Sequence, residues 1–270
     1  MSTKKATLIV GFISLSLTGC FSDDKSIYGI CEDHAEICTD IETKGWCKKE
    51  RSSLIRNRYQ QLIAPKDELN LYQSLVNWHK FSKCIETASN IKRRNLEDRD
   101  PTKAASFVNS IREIEKLEHL TQNSTLPQLL YYHWAQSGDD SKIDRLLELD
   151  KQNKLQTTEL QMMIASYYRK VDRKKTALAH YKALSYLTKE DLETLDHSVF
   201  ASLSTYHYQA KKLKLSYVWA QVAAKYGLKA NLYSSLAVEL ERKGVSLSEL
   251  DKKADQVFES IQTLNFTPPK

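Results

Sequence analysis

Residues 164–184, IASYYRKVDRKKTALAHYKAL, hold the clearest helical pattern in this chain of 270 residues. Apolar side chains recur there at about 3.6-residue spacing, which is the period of an α-helix and not the period of two that indicates a strand. Similar spacing continues on both sides, and the whole chain has only seven glycines and five prolines. Alternating runs rich in Val, Ile and Thr, which are typical of strands, are missing. The sequence therefore predicts an all-α fold.

The small residues in this segment are spaced in a way that resembles the tetratricopeptide repeat, in which small positions let two antiparallel helices pack closely. Ala165 holds the small position of the first helix, and Ala177 holds that of the second. In the units before and after, Tyr131 and Ser204 stand at the first-helix position. Residues 217–240 also resemble the Sel1-like variant, in which a helix closes on an Ala-Ala-x-x-Gly pattern. The resemblance implies helical hairpins stacked as a short solenoid, and a generic helical bundle is the alternative.

The first twenty residues, MSTKKATLIVGFISLSLTGC, have the arrangement of a secretory signal peptide. Two lysines precede the apolar stretch Ala6–Leu17, which is shorter than the about 20 residues that a transmembrane helix needs. The ending Leu-Thr-Gly-Cys resembles the lipobox of bacterial lipoproteins, and the resemblance implies cleavage before Cys20 and lipidation of its thiol. Phe21 follows the cysteine, which under the enteric sorting rule implies an outer-membrane location, and we expect the protein to face the periplasm. An ordinary cleaved signal peptide is the alternative.

The cysteines predict two disulfides. If Cys20 carries the lipid, four of the five cysteines remain in a compartment where disulfides form, and the even number indicates two bridges. The residues between 48 and 85 are predicted to form two helices broken at a proline, and an antiparallel hairpin of this kind places Cys47 level with Cys84. We therefore predict a Cys47–Cys84 bridge, with Cys31–Cys38 closing a short loop before it.

Catalytic and cofactor signatures are missing from the sequence. No phosphate-binding loop, dinucleotide-binding glycine pattern, GxSxG or HExxH motif occurs. The seven histidines are dispersed, and none has another histidine three or four residues later. We therefore predict no catalytic residue, no metal and no cofactor. A zinc cluster of the cysteines near His34 is an alternative to the disulfides, although their spacing lacks the close pairs of structural zinc sites.

Changes in composition and the positions of helix-breaking residues divide the chain into five predicted segments. They are a lipoprotein signal peptide (1–19), an irregular cysteine-containing leader (20–46), a helical hairpin plus a further helix (47–123), the helical-repeat region (124–265) and a tail (266–270). The further helix opens near Thr102. Its predicted apolar stripe consists of Phe107, Val108, Ile111, Ile114 and Leu117.

The whole chain resembles an uncharacterised family of Gram-negative predicted lipoproteins, most clearly in Gly45-Trp46-Cys47 and the basic helix after it. The net charge of +6 is spread along the chain, so a nucleic-acid partner is not expected. We expect a lipid-anchored, non-catalytic adaptor of the cell envelope that binds a protein or peptide through a helical-repeat groove. The alternatives are an accessory factor or unrecognised hydrolase of peptidoglycan maintenance, and a structural or lipid-handling lipoprotein. The oligomeric state is left open.

The tetratricopeptide resemblance also implies a binding face. In that family the ligand-facing positions lie three before and one or four after the small residue of each first helix. Carried onto this chain they are Gln128, Tyr132, Ala135, Met162, Ser166, Arg169, Ala201, Thr205 and Tyr208. The four with interface chemistry are Tyr132, Met162, Arg169 and Tyr208. Arg169 is expected to hold an acidic side chain or a peptide C-terminus, while packing roles for Tyr132 and Tyr208 are the alternative.

Overall fold

The structure is a computed structural model that describes residues 25–43, 45–91, 101–228 and 233–269. Within these ranges the regular elements are helical and no strand occurs, so the predicted all-α class is confirmed. None of the helices found there is long and apolar enough to cross a membrane. The α-helices are α1 Ile27–Asp33, α2 Lys48–Ile63, α3 Glu68–Asn90, α4 Pro101–Thr121, α5 Pro127–Ser137, α6 Asp140–Lys151, α7 Thr158–Tyr168, α8 Arg173–Ser185, α9 Lys189–Thr194, α10 Ser198–Gln209, α11 Leu213–Lys225, α12 Tyr233–Arg242 and α13 Leu247–Gln262.

The chain forms two compact units. The first comprises Met1–Lys66 and Val76–Ile114, and the second comprises Asp67–Leu75 and Glu115–Lys270. Helices α3 and α4 therefore each contribute residues to both units.

Two disulfides hold the first unit. Cys31 is bonded to Cys38, with 5.7 Å between their Cα atoms, and Cys47 is bonded to Cys84, with 5.9 Å between theirs. The predicted pairing is confirmed. The zinc alternative is wrong for these cysteines, because a sulfur in a disulfide is not the thiolate that zinc requires.

The leader contains more regular structure than the sequence predicted. Besides α1, it forms two short 3₁₀ helices, Ala35–Ile37 and Thr39–Ile41. The Arg51 guanidinium, on α2, donates to the carbonyl oxygens of Ile41 at 3.0 Å and Cys38 at 3.1 Å. These bonds satisfy carbonyl groups in the second short helix and its N-cap, so contact with α2 helps to hold this part of the leader.

The predicted apolar stripe of α4 is wrong in two positions. Val108 and Ile111 are 55% and 42% exposed, while Lys103 and Ser106 are buried. The Ser106 hydroxyl donates to the Glu42 carbonyl at 2.8 Å, and the Lys103 ammonium lies 4.9 Å from the centre of the Trp46 ring. Polar side chains thus face the leader, because the leader offers them a carbonyl and an aromatic face.

Helices of the second unit pair in sequence order. Helix α5 packs with α6, α7 with α8, and α10 with α11. Helix α8 also packs against α10, and α11 packs against α12 and α13. The short helix α9 lies in the connection between α8 and α10, where Thr188 and Asp191 form a capping box.

The buried apolar cluster of the second unit that runs from Ala177 to Phe266 contains several aromatic rings and is called the aromatic core here. Phe200, Tyr217 and Trp219 are almost wholly buried, and Phe266 belongs to the same cluster. The Phe266 ring stacks on that of Tyr181, with 6.3 Å between the centroids. The sequence assigned residues 266–270 to a tail, but burial of the Phe266 ring fixes the start of that segment in the core.

Candidate functional site

A cleft of about 330 Å³ lies in the second unit, between the end of α7 and helices α8 and α10. The turn from α7 to α8 is tight, because the Asp172 carboxylate caps α8 by accepting from the Lys175 N–H at 3.0 Å. Arg169 follows the C-terminus of α7 and Arg173 begins α8, so both residues lie at the turn that joins the two helices. Its polar lining residues include Arg169, Arg173, His180, Ser202, Thr205 and Tyr206.

The cleft carries positive charge without acidic partners. Of the described residues that line it, none is an aspartate or a glutamate. Arg173 donates from Nη1 to the Gln209 Oε1 at 2.8 Å, which orients its guanidinium with a neutral group. Arg169 is exposed and makes no ion pair with any described residue. Both guanidinium groups are therefore available to an anion.

His180 lies in the wall of the cleft. It is only 8% exposed, and its Nδ1 has no hydrogen-bond partner among the described residues. Burial, followed by the charge of Arg169, lowers the pKa of His180 to about 4, while Asp196 opposes the shift. The imidazole is therefore neutral at pH 7, and one buried nitrogen is left without a partner.

A second buried histidine belongs to the core. The His207 Nε2 lies 2.6 Å from the Tyr181 hydroxyl, and the Trp219 Nε1 donates to that hydroxyl at 3.1 Å. Because an indole can only donate, the hydroxyl accepts from Trp219, while the direction of its bond with His207 Nε2 depends on the imidazole tautomer. Burial lowers the pKa of His207 to about 4 and raises that of Tyr181 to about 12. This network is neutral and internal, so we assign it to packing.

The structure does not bring the four predicted interface residues together. Arg169 lines the cleft. Tyr132 is buried and its hydroxyl donates to Glu118 Oε1 at 2.7 Å, so it is a packing residue, as the alternative held. Met162 and Tyr208 are half-buried and pack against the aromatic core. The predicted lipidation site, Cys20, lies outside the described residues.

Two further predicted positions, Ala201 and Thr205, do line the cleft with Arg169. Arg173, His180 and Tyr206 are the residues that sequence reasoning missed. A signal for His180 was present, because it stands one helical turn after the small residue Ala177 and so shares its face of α8. For metal binding, the group found among the described residues is Cys47, Glu50 and Cys84, whose two sulfurs are already bonded to each other.

Comparison with known proteins identifies the family of the chain. A family model described as "Protein of unknown function (DUF2989)" matches residues 17–221, which is more than half of the chain. No curated protein matches, and no solved structure matches.

Proposed function

Because the chain belongs to the DUF2989 family of proteins of unknown function, we propose a function from its own residues: it is a lipid-anchored, non-catalytic adaptor of the cell envelope. The anchor is the lipidated Cys20, and the binding element is the helical-repeat region. The partner is an envelope protein or peptide that enters the cleft at Arg169.

Contacts between α10 and α11 support the tetratricopeptide interpretation. The Ser204 hydroxyl donates to the Ser216 carbonyl at 2.9 Å, and the Ser216 hydroxyl donates to the Ser204 carbonyl at 3.0 Å. Both residues are buried. Hydroxyl groups reach the facing backbone only where two helices approach closely, which is the role that the repeat gives to its small positions.

The end of α11 supports the Sel1-like variant. Gly227 follows the helix with a φ of +79°, a left-handed conformation that favours glycine, and Ala223 is buried. The pattern Ala223-Ala224-x-x-Gly227 thus closes the helix as that variant would.

The observation that carries the adaptor proposal is the cleft between successive helix pairs. Helix α8 closes one pair and α10 opens the next, and Arg169 lies exposed at the edge of the space between them. An exposed guanidinium without an ion-pair partner in the described chain is suited to recognition, since arginine is among the residues that most often dominate interfaces.

Photocrosslinking at the cleft tests the proposal. A benzoylphenylalanine at Thr205, which is exposed and lines the cleft, should give a specific protein adduct in intact envelopes. The matched control is the same group at Leu178, which is 52% exposed on α8 and does not line the cleft. We expect the Thr205 adduct to weaken in an Arg169→Ala background. Identical adducts from both positions, or muropeptide turnover by the purified protein, would contradict the adaptor proposal.

A further inference from the structure

The cleft combines three features that point to one class of ligand. Two guanidinium groups, from Arg169 and Arg173, line it, and none of its described lining residues is an aspartate or a glutamate. Arg173 is already oriented by Gln209, so part of the ordering cost of binding is met before a ligand arrives. An anion placed here would gain charge-assisted hydrogen bonds from donors that no described carboxylate occupies.

His180 supplies the second, independent observation. Its side chain is more than nine-tenths buried, yet Nδ1 has no partner in the described chain and the residue lines the cleft. Buried polar atoms in native proteins are nearly always hydrogen-bonded, and an exception calls for an explanation. Nδ1 has almost no accessible surface, so a ligand atom would pair with it once the imidazole ring turned toward the cleft.

The neutral state of His180 limits the charge of the ligand. The Arg169 guanidinium and the surrounding protein disfavour an imidazolium, so the cleft presents two cations and not three. Ser202, Thr205 and Tyr206 also line the cleft and carry neutral hydroxyl groups. Two cations with neutral donors suit the single charge and planar oxygens of a carboxylate, which a guanidinium can hold through two parallel bonds.

The size of the cleft is consistent with a side chain or a chain end. About 330 Å³ is near the lower limit for small-molecule pockets, which run from roughly 300 to 1,000 Å³. Ala177 and Ala201 leave this space open because their side chains are short.

We propose that the α7–α8–α10 cleft binds a carboxylate group of an acidic peptide, held by Arg169 and Arg173, with the His180 ring turning its unpartnered Nδ1 toward one carboxylate oxygen. This rests on the proposed adaptor function and names the chemistry of its partner. The Arg residues supply the charge recognition, and His180 acts as the uncharged group that fixes one carboxylate oxygen.

Calorimetric titration of the purified full chain tests this assignment. The probe is an N-acetylated trialanyl-glutamate amide, which carries one carboxylate, and its control is the matching N-acetylated trialanyl-glutamine amide, which is uncharged. We expect the acidic peptide to bind at least about tenfold more tightly than the glutamine control. Arg169→Ala combined with Arg173→Ala should abolish the difference. Lys174→Ala removes one positive charge from an exposed residue of the same helix outside the lining, and it should change affinity little.

Variants at His180 separate a binding role from a structural one. His180→Asn keeps a hydrogen-bonding atom and should keep most of the affinity, whereas His180→Phe should lose it at an unchanged thermal midpoint. Equal binding of both peptides, no binding of either, or stronger binding of inorganic phosphate than of the acidic peptide would overturn the carboxylate assignment. If the peptides fail in this way but Thr205 still crosslinks a protein, the carboxylate assignment is contradicted and the adaptor proposal is not. If the acidic peptide binds but Thr205 crosslinks no protein, the adaptor proposal is contradicted and the carboxylate assignment is not.

Discussion

At the scale of single residues, burial keeps the imidazoles of His180 and His207 uncharged. Both side chains are more than nine-tenths buried, and the pKa of each is lowered to about 4. An unfolded chain gives histidine a pKa of about 6.5. Protonation therefore favours the unfolded chain, and the two residues couple folding to pH.

We expect the free energy of unfolding to fall as the pH drops from about 6.5 to about 4. Above that range both histidines are neutral in both states, and within it only the unfolded chain takes up protons. The loss should approach about 1.4 kcal/mol per pH unit for each histidine. Urea unfolding at a series of pH values measures it, and the His180→Asn/His207→Gln variant should flatten the profile. An equal slope in that variant would show that other groups cause the dependence.

The residue scale also shows why the site was only partly predictable. Arg169, Ala201 and Thr205, which the repeat spacing selected, all line the cleft. His180 was missed because α10, which packs against its helix α8, is separated from α8 in the sequence by the inserted helix α9. Tyr132 was misplaced because its hydroxyl finds Glu118, a partner that spacing within a repeat cannot indicate.

At the scale of elements, close helix contacts depend on small side chains. Ser204 and Ser216 join α10 to α11 through two reciprocal hydrogen bonds to backbone carbonyls. A larger side chain at either position would push the two helices apart. The α4 stripe shows the limit of periodicity, since Val108 and Ile111 fit a helical pattern yet face outward while Ser106 reaches Glu42.

Substitution of Ser204 should therefore cost stability in proportion to size. Ser204→Ala loses one donated hydrogen bond and should lower the free energy of unfolding by about 1 kcal/mol. Ser204→Leu adds overpacking and should lower the free energy of unfolding by about 1–3 kcal/mol more, which is the usual cost of inserting methylene groups into a packed core. Thr205→Leu is the control, because that neighbour is exposed and should change stability by no more than about 0.5 kcal/mol. Chemical unfolding compares the three. Similar losses for both leucine variants would contradict the close approach.

Each disulfide should stabilise according to the loop it closes. Cys47 and Cys84 are separated by 37 residues, and Cys31 and Cys38 by seven. Loop-closure entropy gives about 4 kcal/mol for the longer loop and about 2 kcal/mol for the shorter one. Replacing both cysteines of a bridge with alanine and measuring unfolding by denaturant tests the order. A larger loss from the Cys31/Cys38 pair would contradict an entropic origin.

At the scale of the whole molecule, attachment and recognition are assigned to different parts of the chain. The lipid is proposed at Cys20, five residues before the first described residue, Lys25. The cleft lies within the second unit, among α7, α8 and α10. The proposed functions can therefore be lost separately.

Cys20→Ser should remove the protein from the membrane fraction or leave it as an uncleaved precursor, because the thiol that accepts the lipid is gone. Fractionation with acyl labelling measures this outcome. Arg169→Ala is the matched comparison, and it should leave fractionation unchanged. Normal processing and labelling in the Cys20→Ser protein would refute lipidation at this residue.

The order of the disulfides has a consequence for biosynthesis. After Cys20, every cysteine is bonded to its neighbour along the sequence, Cys31 to Cys38 and Cys47 to Cys84. A chain exported N-terminus first would expose each pair in succession, so oxidation in order of appearance already produces the native bonds. Maturation would then need an oxidase but no shuffling enzyme, and the first unit could be locked while the second was still being translocated.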